Sequence, residues 1–179
     1  MPPHKTPPEI ETQRLLLRGW KPVDLTPFAA ICADPDVMRY IGTGATLTTE
    51  ETARRIASFE AHWAERGYGL FAVQSKATGD LIGFAGLSWP GFLPEVLPAV
   101  EIGWRFAKAH WGHGYASEAA RAALEFGVGT RGLTEIVSIY QPKNAASGRI
   151  MQKLGLVFDR RTLDPSCGRA VEVYRLPRP

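Results

Sequence analysis

Between Ala99 and Leu156 the chain reads strand, glycine-rich turn, helix, strand, helix, and no other stretch limits the fold as much. In "AVEIGWRF", Val100, Ile102 and Trp104 alternate to one face and Glu101, Gly103 and Arg105 to the other, which is the period of a strand. "AHWGHGYASEAARAALEFGV" opens on glycines and continues as an amphipathic helix, and "TEIVSIYQ" returns to strand. Two strands joined through a helix lie parallel in one sheet.

The remaining segments are of a different kind. "YGLFAVQSKATGDLIGFAGLSW" is two strands meeting at Thr78-Gly79-Asp80, an antiparallel hairpin. The Ala99 strand joins it after a loop with Pro90, Pro94 and Pro98. Upstream, "IETQRLLLRGW" from Ile10 reads as one strand and "VDLTPFAAICADPDVMRYI" as one helix, with Leu25, Phe28 and Cys32 at helical spacing. A second helix begins at Thr48, where Glu51 completes a capping box; it sets Ile56, Phe59 and Trp63 on one face and stops at Gly67. After the crossover, "NAASGRIMQKLG" is a helix ending on Gly155, and strands follow near "LVFDRR" and "AVEVYRLPR". The order β α α β β β α β α β β predicts an α+β fold: a mixed, largely antiparallel central sheet with helices on both faces. A doubly wound fold needs more strand-helix-strand units than this. With 179 residues and 45% hydrophobic content the chain suits one domain. We place it at 10–179, behind a flexible tail over 1–9 that holds four prolines.

Composition narrows the functions. Every apolar run is broken well short of the ~20 residues of a bilayer span, and the start lacks a signal-peptide apolar region, so no membrane partner is expected. Cys32 and Cys167 supply neither a disulfide framework nor a zinc site, and His110 and His113 have no acidic or Cys partner at helical spacing. No metal is expected, and the cytoplasm is the expected location. The formal charge of +3 and a pI near 9.0 come from scattered Lys and Arg rather than a basic stripe, which argues against nucleic acid and keeps acidic small molecules as partners.

Strand, glycine turn and helix in succession gather backbone N–H groups at a helix N-terminus, where an anion such as phosphate is favoured. Gly112 and Gly114 let the backbone come close; equally, glycines there relieve crowding at a helix entry. A Walker loop requires Gly-Lys, which the chain lacks. A dinucleotide fingerprint would use Gly112, Gly114 and Ser117, with Glu135 as the ribose acid, but "AKAHW" holds the first glycine away from the strand tip.

Residues 99–156 as a whole resemble the coenzyme-A-binding core of the GNAT N-acetyltransferases, especially the branch that acetylates ribosomal-protein N-termini. The family loop Gln/Arg-x-x-Gly-x-Gly/Ala falls on Trp111, Gly114 and Ala116, with Trp departing from Gln or Arg. The second block, Asn-x-x-Ser then Lys-Leu-Gly-Phe, falls on Asn144, Ser147, Lys153, Leu154 and Gly155, with Leu156 for Phe. "ETQRLLLRGW" and "DPDVMRYIG" are also similar to that branch. The resemblance implies a single GNAT-like domain and an acetyl-CoA-dependent N-acetyltransferase acting on a protein N-terminus or a small-molecule amine. The alternatives are an inactive CoA-binding module and a dinucleotide-binding oxidoreductase.

On that reading the carrier's pyrophosphate lies on the N–H groups of Trp111, Gly112, His113, Gly114, Tyr115 and Ala116, with His113 adding charge. Backbone N–H groups near the end of the strand, at Phe106, would polarise the thioester carbonyl. The family places a carboxylate on this strand as general base, which makes Glu101 the first candidate; its other reading is a solvated charge paired with a neighbour such as Arg105. An α-amine with a pKa of ~7.7 is roughly one-sixth neutral at about pH 7, whereas Lys at ~10.4 is neutral in about one molecule in 2,500. A weak base therefore favours α-amino substrates. The family's proton-donating Tyr aligns with Met151, which has no proton to give. By resemblance the role passes to Ser147, with Asn144 holding the pantetheine arm or simply capping its helix. Trp89, Phe92 and Glu95 in the proline loop are candidate acceptor contacts; the same apolar residues could form a lid or a homodimer contact.

Overall fold

The computed structural model describes residues 6–177. Residues 1–5 and 178–179, which hold part of the expected tail and the end of the expected domain, lie outside them. Eight strands form one open sheet: β1 (Ile10–Glu11), β2 (Leu15–Arg18), β3 (Leu70–Ser75), β4 (Leu81–Ser88), β5 (Val100–Phe106), β6 (Ile136–Tyr140), β7 (Val157–Leu163) and β8 (Ala170–Arg175). Their spatial order is β1-β2-β3-β4-β5-β6-β8-β7. Only β5 and β6 run parallel, joined through the predicted crossover helix; the other neighbours are antiparallel.

Helices α1 (Leu25–Ala33), α2 (Pro35–Met38), α3 (Thr49–Arg66), α4 (Tyr115–Glu125) and α5 (Ala145–Lys153) cover both faces. Strand β3 shows the division residue by residue. Phe71 and Val73 pack with Leu17, Ile82, Leu87 and Ile102 under α4 and α5, while Leu70 and Ala72 pack with Phe28, Ile56 and Phe84 under α1 and α3. The expected caps of α3 form: Thr48 and Glu51 bond reciprocally, and Gly67 ends the helix at φ 71°, a conformation glycine adopts without a Cβ penalty.

Two expected elements are divided. The single strand from Ile10 is a hairpin, because Thr12 N–H donates to the Leu15 carbonyl while Leu15 N–H donates to Thr12 Oγ1, turning Ile10 back onto Leu17. The single first helix breaks at Asp34, which is extended and whose carboxylate accepts from Asp36 N–H, starting α2 anew behind Pro35.

Candidate active site

The parallel pair is short. β5 and β6 match only at Val100 with Ile136 and Glu101 with Val137. Just beyond, Ser138 Oγ donates to the Ile102 carbonyl at 2.8 Å, and no ladder joins the two strands further on. On its other edge β5 stays paired with β4 as far as Phe106. The end of β5 therefore presents one backbone edge without a strand partner where the parallel pair stops, the kind of edge to which an extended, amide-bearing chain bonds.

That edge leads to the glycine turn. A single 3-10 turn, Lys108–His110, separates β5 from the glycines, the offset expected from "AKAHW". Gly112 and Gly114 both take positive φ, 77° and 80°, and a Cβ at Gly112 would meet nothing within 4 Å. Gly114 caps α4 without a side-chain bond, so the N–H groups of Tyr115, Ala116 and Ser117 open the helix free of intrahelical acceptors. Gly112, His113 and Gly114 N–H also meet no backbone acceptor among the described residues. Such a cluster of N–H groups is a nest for a phosphate or pyrophosphate. Trp111 braces it, its indole N–H donating to the Phe106 carbonyl at 2.9 Å. Phe106 buries its side chain in the core and gives its carbonyl to Trp111, which leaves its backbone N–H as the only group it could offer a ligand.

A clamp that sequence spacing does not reveal holds the nest. Arg14, in the β1–β2 turn, donates through Nη1 to the His113 carbonyl at 2.9 Å and through Nε to Glu118 Oε2 at 2.7 Å, and its guanidinium lies 4.5 Å above the Tyr115 ring. Thr12 Oγ1 and Arg14 N–H both donate to Glu118 Oε1. Burial pushes the Glu118 carboxyl up, but the bonds from Thr12 and Arg14 outweigh it and hold its pKa below the usual carboxylate value. A groove of about 840 Å³ between β1 and α4, lined in part by Thr12 and Glu118 of the clamp, contains none of the predicted site residues.

Glu101, Gly103 and Arg105 share the α1–α3 face of β5, as their alternation predicts. Ser88, opposite on β4, donates to Glu101 Oε2 at 3.4 Å. Burial pushes the Glu101 carboxyl up to about 7, the Ser88 bond opposing the rise and the Asp164 carboxylate adding to it. Glu101 is thus not the solvated partner of Arg105: that guanidinium turns to α1, where Nη1 donates to Cys32 Sγ at 3.3 Å. On α5, Asn144 Oδ1 accepts from Ser147 N–H at 3.3 Å, so Asn144 is the helix cap and its amide N–H₂ remains free for other use. Ser147 is partly exposed one turn inside the helix, while Met151 lies in the core at 1% exposure. The proline-loop candidates separate: Arg66 stacks on Trp89 at 4.4 Å, Thr162 donates to Glu95 at 3.3 Å, and Phe92 is exposed. Among the described residues no group of His, Cys, Asp and Glu could hold a metal ion, and no helix is long and apolar enough to cross a membrane.

Comparison with known proteins agrees with this geometry. Residues 14–157 match the family model described as an acetyltransferase (GNAT) domain. The uncharacterized protein YkkB of Bacillus subtilis is 33% identical over 158 residues, covering 85% of this chain and 87% of its own length. The uncharacterized N-acetyltransferase YnaD of the same organism is 33% identical over 147 residues, covering 82% and 81%. A GNAT-family acetyltransferase from Bacillus anthracis superposes with a TM-score of 0.78 at 27% identity, covering 94% of this chain and 97% of that one. RimL, a ribosomal L7/L12 alpha-N-protein acetyltransferase solved with coenzyme A, shares the fold with a TM-score of 0.75 at 13% identity, covering 94% and 97%. With the split parallel pair, the nest at the start of α4 and a family match over most of its length, the chain belongs to the GNAT acetyltransferase family.

Proposed function

We propose that the protein is an acetyl-CoA-dependent N-acetyltransferase that moves an acetyl group to a primary amine, of a protein N-terminus or a small molecule, by direct attack on the thioester. The observation that carries this is Glu101: a carboxyl raised to about 7, set where the parallel strands part and on the strand that leads into the nest. Acetyl-CoA supplies an activated acyl group, and the chain supplies four services around it. The N–H groups from Gly112 to Ser117 receive the pyrophosphate, with Trp111 and the Arg14–Glu118 clamp fixing the loop. The open edge of β5 takes the amides of the pantetheine arm and turns N–H groups toward the thioester carbonyl as charge develops on its oxygen. Glu101 accepts the proton that the amine loses on forming the C–N bond. Ser147 gives a proton to the departing thiolate, in the place where Met151 has none to give. Positioning supplies a further share, because amine and thioester meet in one site.

Thiol release and acetylated product, measured together over a panel of peptides, amino acids and polyamines, test this reading. Stoichiometric release with at least one amine is expected. Acetyl-CoA binding without release on any acceptor would instead mark a CoA-binding module, and failure to bind acetyl-CoA or CoA would end both readings.

A further inference from the structure

We propose that Arg105 is the anion receptor of the acceptor pocket, so that the acetylated amine belongs to a molecule carrying a carboxylate or phosphoryl group several bonds away. The identity of the amine rests on the acetyl-transfer reading; the anion site rests on separate observations.

The first is the state of the guanidinium. A buried cation without a counter-ion is costly, and folded chains ordinarily pair it. This chain does so at Arg18, whose Nη1 and Nη2 donate to both oxygens of buried Asp24 at 2.8 and 2.9 Å. Arg105 is treated differently. Its Nη1 reaches only Cys32 Sγ, its buried Nε has no partner among the described residues, and its guanidinium lies 5.2 Å from the Phe84 ring centre. Arg55 on α3 adds further positive charge to its surroundings. With Nη1 on Cys32 and Nε out of reach, Nη2 remains as the donor, and the guanidinium charge strengthens its bond to a carboxylate or phosphate.

The second observation is the space beside it. Gly103 stands between Glu101 and Arg105 on the same face, and a Cβ there would meet nothing within 4 Å, so a hollow separates the two charged residues. Four residues of strand place their Cα atoms about 13 Å apart at ~3.3 Å per residue. Glu101 stands at one end of the hollow, where Asp164 adds negative charge, and Arg105 at the other, where Arg55 adds positive charge. An amine-bearing acid lies along this axis with its amine at Glu101 and its anion at Arg105. The spacing suits a short peptide with an acidic group beyond its N-terminal residue, whose α-amine is the kind a weak base serves; ω-amino acids and aminoalkyl phosphonates span the same length and serve as probes, and a free α-amino acid is too short to reach both ends.

Matched acceptors test the proposal: ω-amino acids, their carboxamides and the corresponding phosphonates, each assayed for turnover and for direct calorimetric binding in the presence of CoA. In the wild type the acids are expected to show a KM and a Kd at least tenfold below those of the carboxamides. In Arg105→Gln this preference should collapse toward one, and in Arg105→Lys it should survive in part, because the charge stays while the guanidinium is lost. Acetyl-CoA titration of each variant reports whether the carrier site persists. Equal affinity for acid and carboxamide in the wild type, or a preference that survives Arg105→Gln, overturns the anion receptor. Should no acceptor be turned over while the acids still bind and Arg105→Gln abolishes that binding, the anion receptor stands and the transfer reading falls. Preference for phosphonate over carboxylate would identify the anion as phosphoryl.

Discussion

Ionised Glu101 is the form a base requires and the form its surroundings disfavour. Because burial raises its pKa from 4.5 to about 7, the saturated rate with an α-amino acceptor is expected to climb through about pH 7. Glu101→Gln should lose that limb and about a hundredfold in rate, as a pH–rate series would record. Stability moves the other way. A carboxyl whose folded pKa is raised leaves the fold fully stable below its unfolded value and weakens it as pH rises through about 7, by a few kcal/mol at most. Denaturant titrations should therefore find Glu101→Gln close to wild type near about pH 4 and more stable than wild type by about 2–3 kcal/mol near about pH 9. A purely structural Glu101 would show the variant weaker at both. Arg14 is tested by coupling: Arg14→Ala and Glu118→Gln are each expected to raise the Kd for acetyl-CoA about tenfold, and the double variant no further, since both remove one clamp. The face of Glu101 was legible from strand alternation, which is local. The clamp was not, because its partners stand 104 residues apart and nothing in either neighbourhood names the other.

At the scale of elements, α5 separates capping from ligand binding. Asn144→Asp keeps the oxygen that caps Ser147 N–H but loses the amide donor; it should melt like the wild type and bind acetyl-CoA more weakly, by about tenfold. Ser147→Ala should lower turnover more than acetyl-CoA affinity, and an unchanged rate at saturation would remove Ser147 from the acid role. The elements that sequence reading placed well are those with ends written locally, such as α3 with its Thr48–Glu51 box and Gly67. Those it merged, β1 with β2 and α1 with α2, are divided by features that periodicity does not carry. One is the Thr12 turn; the other is an Asp34 carboxylate that restarts a helix at Pro35. Side-chain direction in the proline loop was not legible either, because sequence does not say that Trp89 takes Arg66 on its ring while Phe92 stays exposed.

In the whole molecule the sheet does one thing that no single element can. Antiparallel pairing holds β5 rigid along one edge while the parallel pair ends after Glu101, so the centre of the sheet opens and the same strand delivers the chain into the nest. The central claim is that this nest holds the pyrophosphate of coenzyme A. Calorimetric titration of the wild type with acetyl-CoA, with acetyl-pantetheine, which lacks the pyrophosphate, and with NAD measures it directly. The account predicts that acetyl-CoA binds at least about a hundredfold more tightly than acetyl-pantetheine, a difference of about 2.7 kcal/mol, and that NAD does not bind. Equal affinity for the two acetyl carriers, or binding of NAD in their place, would contradict it.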